Sequence, residues 1–182
     1  FVISTKLDRD MKTQKFDATR ARKSIEESLD ALNVDSIGLL HLHDPEHCRD
    51  ITEITSQHGS LAALFKMKEE GLAETVGLAM GKTDLMLEIV KDWPFDAIIN
   101  HNRFTILNRN ADELYKYAFK NNYEKAVMIH GDDQYHVKYV PKLFKKLEKK
   151  NIAAVTGSRM MIKKAALKCK MPLYKFFGNL VL

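Results

Sequence analysis

The sequence predicts an α/β protein: repeated βα units around a mostly parallel sheet. Two observations carry that expectation. Short β-rich runs of four to seven residues alternate with longer stretches of helical apolar period along the 182 residues. The links between them are short, which is how parallel strands are joined through helices. A third observation places function in this frame. The stretch Ser36–Pro45 (SIGLLHLHDP) reads as a buried strand that ends in two histidines at a turn. In parallel α/β proteins the carboxyl ends of strands are where ligands bind.

Phe1–Leu7 (FVISTKL) alternates and is β-rich, so it is expected to be a strand with Lys6 near its end. It opens without a basic leader or an initiator methionine, as expected of a piece of a longer protein. Asp17 is placed to cap a helix whose stripe is Ala21, Ile25, Leu29 and Leu32. Asn33–Asp35 is its exit turn. In the next strand, His41 and His43 lie two residues apart and share one face, with Leu42 on the other. A polar loop with one helical turn follows Pro45. Ser60 opens the next helix, with Leu61, Leu64 and Phe65 inward and Gly71 as its stop. Thr75–Met80 is the third strand. Thr83 is expected to cap a helix carrying Met86, Ile89, Val90 and Trp93, ended by Pro94. Phe95–Asn100 is the fourth strand. Asn110 with Glu113 three residues on forms a capping pattern for a helix to about Lys120. Beyond it come a fifth strand at Ala126–Ile129 and a helix from Pro141 with Leu143, Phe144 and Leu147 inward. A sixth strand follows at Ile152–Thr156, then a helix-like tail from Met161, broken at Pro172 and Gly178. A full (β/α)₈ barrel needs eight strands and roughly 250 residues. The sheet is therefore expected to be open or a partial barrel, with unpaired edges that favour self-association.

Composition bounds the function. No apolar run approaches the ~20 residues needed to span a bilayer. Cys48 and Cys169 form no paired motif, which suits a reducing cytoplasm. From Lys138 to Leu182, twelve Lys and Arg face one acid, Glu148. That makes +11 and leaves −6 for residues 1–137 of the net +5. Such a tail is either a solvated basic face or a contact for a polyanion or membrane surface; nucleic acid is not among the expected partners. His41, His43, His47 and Cys48 together raise a metal site. Pro45 works against it, because it keeps His43 and His47 off one helical face.

The first two thirds resemble the middle of an aldo-keto reductase. The resemblance rests on ISTK (Ile3–Lys6), ATRARKSIEESLDALNVD (Ala18–Asp35), the strand ending in His43-Asp44-Pro45, and KEEGLAETVG (Lys68–Gly77). HNRFTILNR (His101–Arg109) is similar to the subgroup acting on sugars and pyridoxal. The resemblance implies a TIM-barrel-like half barrel over residues 1–122 and hydride transfer between NADP or NAD and a small-molecule carbonyl. It implies catalytic Lys6 and His43, and cofactor contacts from His101 and Asn102. In such a site a tyrosine gives the proton although its reference pKa is about 10. A neighbouring ammonium stabilises the phenolate, and a histidine fixes the carbonyl. The family's Tyr and Asp would precede Phe1, and a Ser-Asn pair that contacts the nicotinamide amide is replaced by Ala79-Met80-Gly81. The chain alone is therefore expected to lack catalysis.

Residues 123–182 resemble a family 2 glycosyltransferase of the polyprenyl-phosphate sugar transferase kind. AVMIHGDDQYHVKYVPKL (Ala126–Leu143), VTGSRM (Val155–Met160) and MPLYKFFGN (Met171–Asn179) carry it. It implies a GT-A-like βαβ segment, Mg or Mn held by Asp132 and Gln134, and Arg159 on a phosphate of a nucleotide sugar. It also implies peripheral membrane contact of the basic tail. On this reading the chain joins two α/β enzyme segments near Asn121–Tyr123; otherwise it is a chimera without catalysis.

Overall fold

A computed structural model describes residues 2–105, 107–121, 127, 137–148 and 173. The chain divides into two compact units, Phe1–Lys125 and Ala126–Leu182. In the first, strand and helix alternate in chain order. They are β1 (Ser4–Leu7), α1 (Ala18–Leu32), β2 (Ile37–His43), α2 (Thr52–Thr55), α3 (Ser60–Glu69), β3 (Ala73–Ala79), α4 (Thr83–Asp92), β4 (Ala97–Ile99) and α5 (Asp112–Lys120). The four strands form one sheet in the order β1-β2-β3-β4, with every pairing parallel. Sequential parallel order with a helix after each strand is the arrangement of a (β/α) barrel wall. The fold is thus α/β with a parallel sheet, as the sequence predicts.

Burial explains the elements. Leu40 and Leu42 of β2 and Val76 and Leu78 of β3 enter the core with Ala21 and Ile25 of α1 and Leu61, Leu64 and Met67 of α3. Each fully buried aliphatic side chain contributes roughly 1.5–3 kcal/mol. The α1 stripe stops early, because Leu32 is 46% exposed one residue before Asn33 turns left-handed at φ 52°. Gly71 at φ +79° follows α3 as expected, in a conformation glycine adopts without cost.

Capping was legible at one helix and misread at two. The Asp17 carboxylate accepts from the Arg20 amide at 2.9 Å. Asp17→Ala should cost about 1 kcal/mol in urea unfolding, while Asp17→Asn, which keeps an acceptor there, should cost little. Thr83 is not a cap: it is the first residue of α4, and its hydroxyl donates to the Asn110 carbonyl at 3.1 Å. Asn110 does not cap α5 either, since the residue before that helix is Ala111, which makes no side-chain cap.

The strand bounds also shift. Of Phe1–Leu7, only Ser4–Leu7 is strand among the described residues; the third strand starts two residues early at Ala73, and β4 keeps only Ala97–Ile99. In the second unit the helix expected from Pro141 is α6 (Val140–Leu147). Leu143, Phe144 and Leu147 are half-buried there, not core residues. The expected fifth and sixth strands and the tail from Met161 lie outside the described residues, apart from Val127, which is exposed and not in a strand, and Leu173. No described helix is long and apolar enough to cross a membrane.

Candidate active site

Sheet register aligns side chains across the strands. Lys6 of β1 pairs with His41 of β2, His41 with Gly77 of β3, and Gly77 with Ala97 of β4. The next row toward the strand ends holds His43, Ala79 and Ile99. Because side chains alternate, Lys6, His41 and His43 share one face, opposite Leu40 and Leu42. The two histidines then diverge by one step along the strand.

His41 is buried, 2% exposed, with its ring against Gly77. Its Nδ1 lies 3.5 Å from the Ser4 hydroxyl, and its Nε2 has no partner among the described residues. Burial pushes its pKa down, and the nearby Lys6 ammonium and His43 push the same way against a hydrogen bond donated to the Thr5 backbone. His43 sits at the open end. Its Nδ1 is 2.6 Å from Asp8 Oδ1, and its Nε2 is 3.4 Å from Lys6 Nζ. A carboxylate only accepts, so the short Asp8 contact assigns the proton to Nδ1 and leaves Nε2 as acceptor for the ammonium. Asp44 Oδ2 lies 3.5 Å from the same Nε2. The strand is turned there by Asp44 at φ 44°, whose amide donates to Ala79 O at 2.8 Å. The structure therefore brings Lys6 and His43 together and gives His43 an anchor, Asp8, that sequence reading missed. Its signal was spacing, since Asp8 follows Lys6 by two residues at a strand end.

Beyond the strand ends lies an open cleft of about 750 Å³, lined by residues that include Asp44, Glu46, Lys82, His101 and Arg103. Lys6 and His43 do not line it; Asp44, which touches His43, does. Of the two residues expected at a cofactor, His101 lines the cleft. Asn102 is exposed beside it, in a left-handed turn at φ 55°. Three loops meet at Gly81. Glu46 Oε1 accepts from the Gly81 and Lys82 amides at 2.6 and 3.1 Å, and Arg103 Nε donates to the Gly81 carbonyl at 2.9 Å. Neither Glu46 nor Arg103 was singled out from sequence, although Arg103 lies within the HNRFTILNR stretch. The Ala79-Met80-Gly81 segment is otherwise buried.

No cluster of three or more potential metal ligands occurs among the described residues. Cys48 is half-buried, its thiol pushed up by burial, with Sγ donating to Asp50 O at 3.2 Å. Asp132, Gln134 and Arg159 lie outside the described residues.

A model of the aldo/keto reductase family matches residues 1–128. The chain belongs to the aldo/keto reductase family. The chain is 30% identical over 120 residues to L-galactose dehydrogenase of Arabidopsis thaliana, covering 64% of this chain and 37% of that protein. It is 34% identical over 91 residues to D-threo-aldose 1-dehydrogenase of a Pseudomonas species, covering 50% and 26%. It therefore spans about a third of the length of the curated relatives it matches. Among solved structures it resembles an aldo-keto reductase of Bombyx mori in complex with NADP. That match has a TM-score of 0.50 at 18% identity and covers 93% of this chain and 50% of that one. At that identity the likeness speaks for the fold alone.

Proposed function

We propose that the reductase unit is the lysine–histidine part of a nicotinamide-dependent carbonyl site for sugar-type substrates, and that the 182-residue chain alone binds without turning over. The observation that carries this reading is the Lys6–His43 contact at adjacent strand ends, braced by Asp8. With Nδ1–H held by Asp8, His43 keeps its ring plane and presents Nε2 to the Lys6 ammonium. The Lys6 ammonium, exposed at the end of β1, supplies positive charge where an alkoxide or phenolate develops. The cofactor supplies or accepts the hydride when bound. His101, Asn102, Lys82 and Arg103 are the residues that would hold it, because the cleft offers cations and hydrogen-bonding groups that fit a polar ring carrying phosphates. The sugar class is supported by the two related dehydrogenases, which are named for sugars.

Hydride transfer to a carbonyl also needs a proton donor, and positioned acid catalysis is worth roughly 10²–10⁴-fold. In the family the donor is a tyrosine on a strand preceding the lysine strand, which the described strands do not include. The expected result is a blue shift of NADPH fluorescence on mixing with the chain, and no oxidation of L-galactose above the buffer rate with NAD or NADP. Unchanged NADPH emission at millimolar protein removes the binding claim, and measurable turnover removes the claim that the chain is silent.

The nucleotide-sugar reading of residues 123–182 stands as a second proposal. It is favoured by two boundaries: the family match ends at residue 128 and the first compact unit at Lys125. Asp132 and Gln134 are the oxygen ligands it assigns to Mg²⁺ or Mn²⁺. Mn²⁺-dependent binding of a nucleotide sugar is its test, and binding indifferent to EDTA rejects it.

A further inference from the structure

Arg103 is the cation of the cleft that the fold has positioned without giving it a counter-ion. It is half-buried, unlike the exposed Lys82. Among the described residues its one side-chain hydrogen bond runs from Nε to the Gly81 carbonyl, and it makes no ion pair. Arg20 is taken by Glu27, Arg22 by Glu70 and Arg109 by Asp112; Arg9 and Arg49 also make no ion pair among the described residues, but Arg103 is the arginine that lines the cleft. A guanidinium carries five donors in a rigid plane. Fixing Nε therefore sets the plane and leaves the paired Nη groups oriented as a fork.

The surroundings leave room for a ligand there. Gly81 carries no side chain, and a Cβ at that position would sit 3.4 Å from Glu46 Oε1, 3.5 Å from His101 Cε1 and 3.6 Å from Arg103 Nη2. The Gly81 peptide itself cannot drift, since Glu46 holds its amide and Arg103 its carbonyl. Asp44, Glu46 and Asp84 also line the cleft and oppose an anion. Glu46 Oε1 is engaged by two backbone amides, while its Oε2 is buried without a hydrogen-bond partner among the described residues.

We propose that Arg103 is an oxyanion anchor whose Nη fork takes a phosphate or carboxylate of a ligand seated in the cleft. The proposal rests on the reading of this cleft as the ligand site and deepens it by adding an anionic group to the ligand. An oxyanion meets a planar fork with two parallel N–H···O bonds, an interaction stronger than a neutral hydrogen bond and selective for planar or tetrahedral oxyanions. The hydrogen bond to Gly81 keeps the loop after β4 tied to the loop after β3, so the anchor sits on two strand ends rather than on one mobile loop.

The test uses the full chain and inorganic phosphate as probe. Phosphate should protect Arg103 from phenylglyoxal, read by peptide mass spectrometry, and Arg103→Gln should weaken phosphate binding at least tenfold in a thermal-shift titration. The modification experiment needs no variant, so it stands even if Arg103→Gln folds poorly. Equal modification of Arg103 with and without phosphate overturns the proposal, as does unchanged phosphate affinity in a folded Arg103→Gln. The source of the anion is read in two further arms. Nicotinamide mononucleotide binding at least tenfold tighter than nicotinamide riboside assigns the phosphate to the cofactor. D-galacturonate binding at least tenfold tighter than D-galactose assigns a substrate carboxylate. Phosphate protection with no NADPH fluorescence change would sustain the anchor and remove only the nicotinamide reading.

Discussion

Gly77→Ala should destabilise the first unit by about 1–3 kcal/mol, the range for forcing extra volume into a packed interior. The added Cβ would fall 2.5 Å from His41 Cδ2, 2.9 Å from His41 Nε2 and 3.0 Å from the Ala97 carbonyl. Two of these are atoms of a buried ring and the third is backbone of the neighbouring strand, so no flexible chain end gives way. Something in the row Lys6–His41–Gly77–Ala97 has to move. The urea midpoint should fall without a change in slope. His41→Ala in the same chain should return part of the loss, because the ring is the principal obstacle. The coupling between the two positions, read as a double-mutant cycle, is expected to be at least 0.5 kcal/mol. Additive losses would show that Gly77 is not required by the ring. A weaker NADPH signal should accompany the substitution, since His43 follows His41 on the same strand.

That row also shows what the sequence could and could not reveal. The spacing of His41 and His43 was enough to put them on one face. It could not separate a buried histidine from a reachable one, because the difference lies in β3. His41 is covered because a glycine stands opposite it, and the β2–β3 register is a long-range fact. The same division runs through the capping residues. Asp17 was legible because its acceptor and the Arg20 amide are three residues apart. The start of α4 was not, because the amides of Gly81 and Lys82 are taken by Glu46, more than thirty residues earlier. Thr83 was thereby left for Asn110. The fold class was legible from local periodicity alone, as four βα units demand only that each strand and helix be recognised in place. The proximity of Lys6 and His43 was legible where family motif and strand end coincided. Glu46 and Arg103 were missed because each acts through a contact between loops that no spacing rule links, and Asp8 because its partner His43 lies on the neighbouring strand.

Stability of the unit should fall as pH drops below neutrality, and His41 should be a principal cause. In the folded chain its pKa is held below the usual 6.5 by burial first, then by Lys6 and His43. The groups that face it are Ser4, Thr5 and Lys6 on β1, His43 on its own strand and Gly77 on β3. None of these is a carboxylate; Asp8 and Asp44 engage His43 instead. The sign follows from proton counting. Between the unfolded pKa near 6.5 and the lower folded value, the unfolded chain binds a proton that the folded chain refuses. Unfolding is then favoured as pH falls, with a limiting slope of about 1.4 kcal/mol per pH unit for one group. Above the unfolded pKa the contribution is fully present; it is lost progressively below. Urea unfolding at pH 7.5, 6.5 and 5.5 should therefore show a decline that is shallower in His41→Leu. The leucine shifts absolute stability by its own packing, so the slope is the quantity to read. The other six histidines are common to both chains. Parallel pH profiles for the two chains would mean that His41 accepts its proton as readily when folded as when unfolded, and the buried, unpartnered Nε2 would then have to be reached by water.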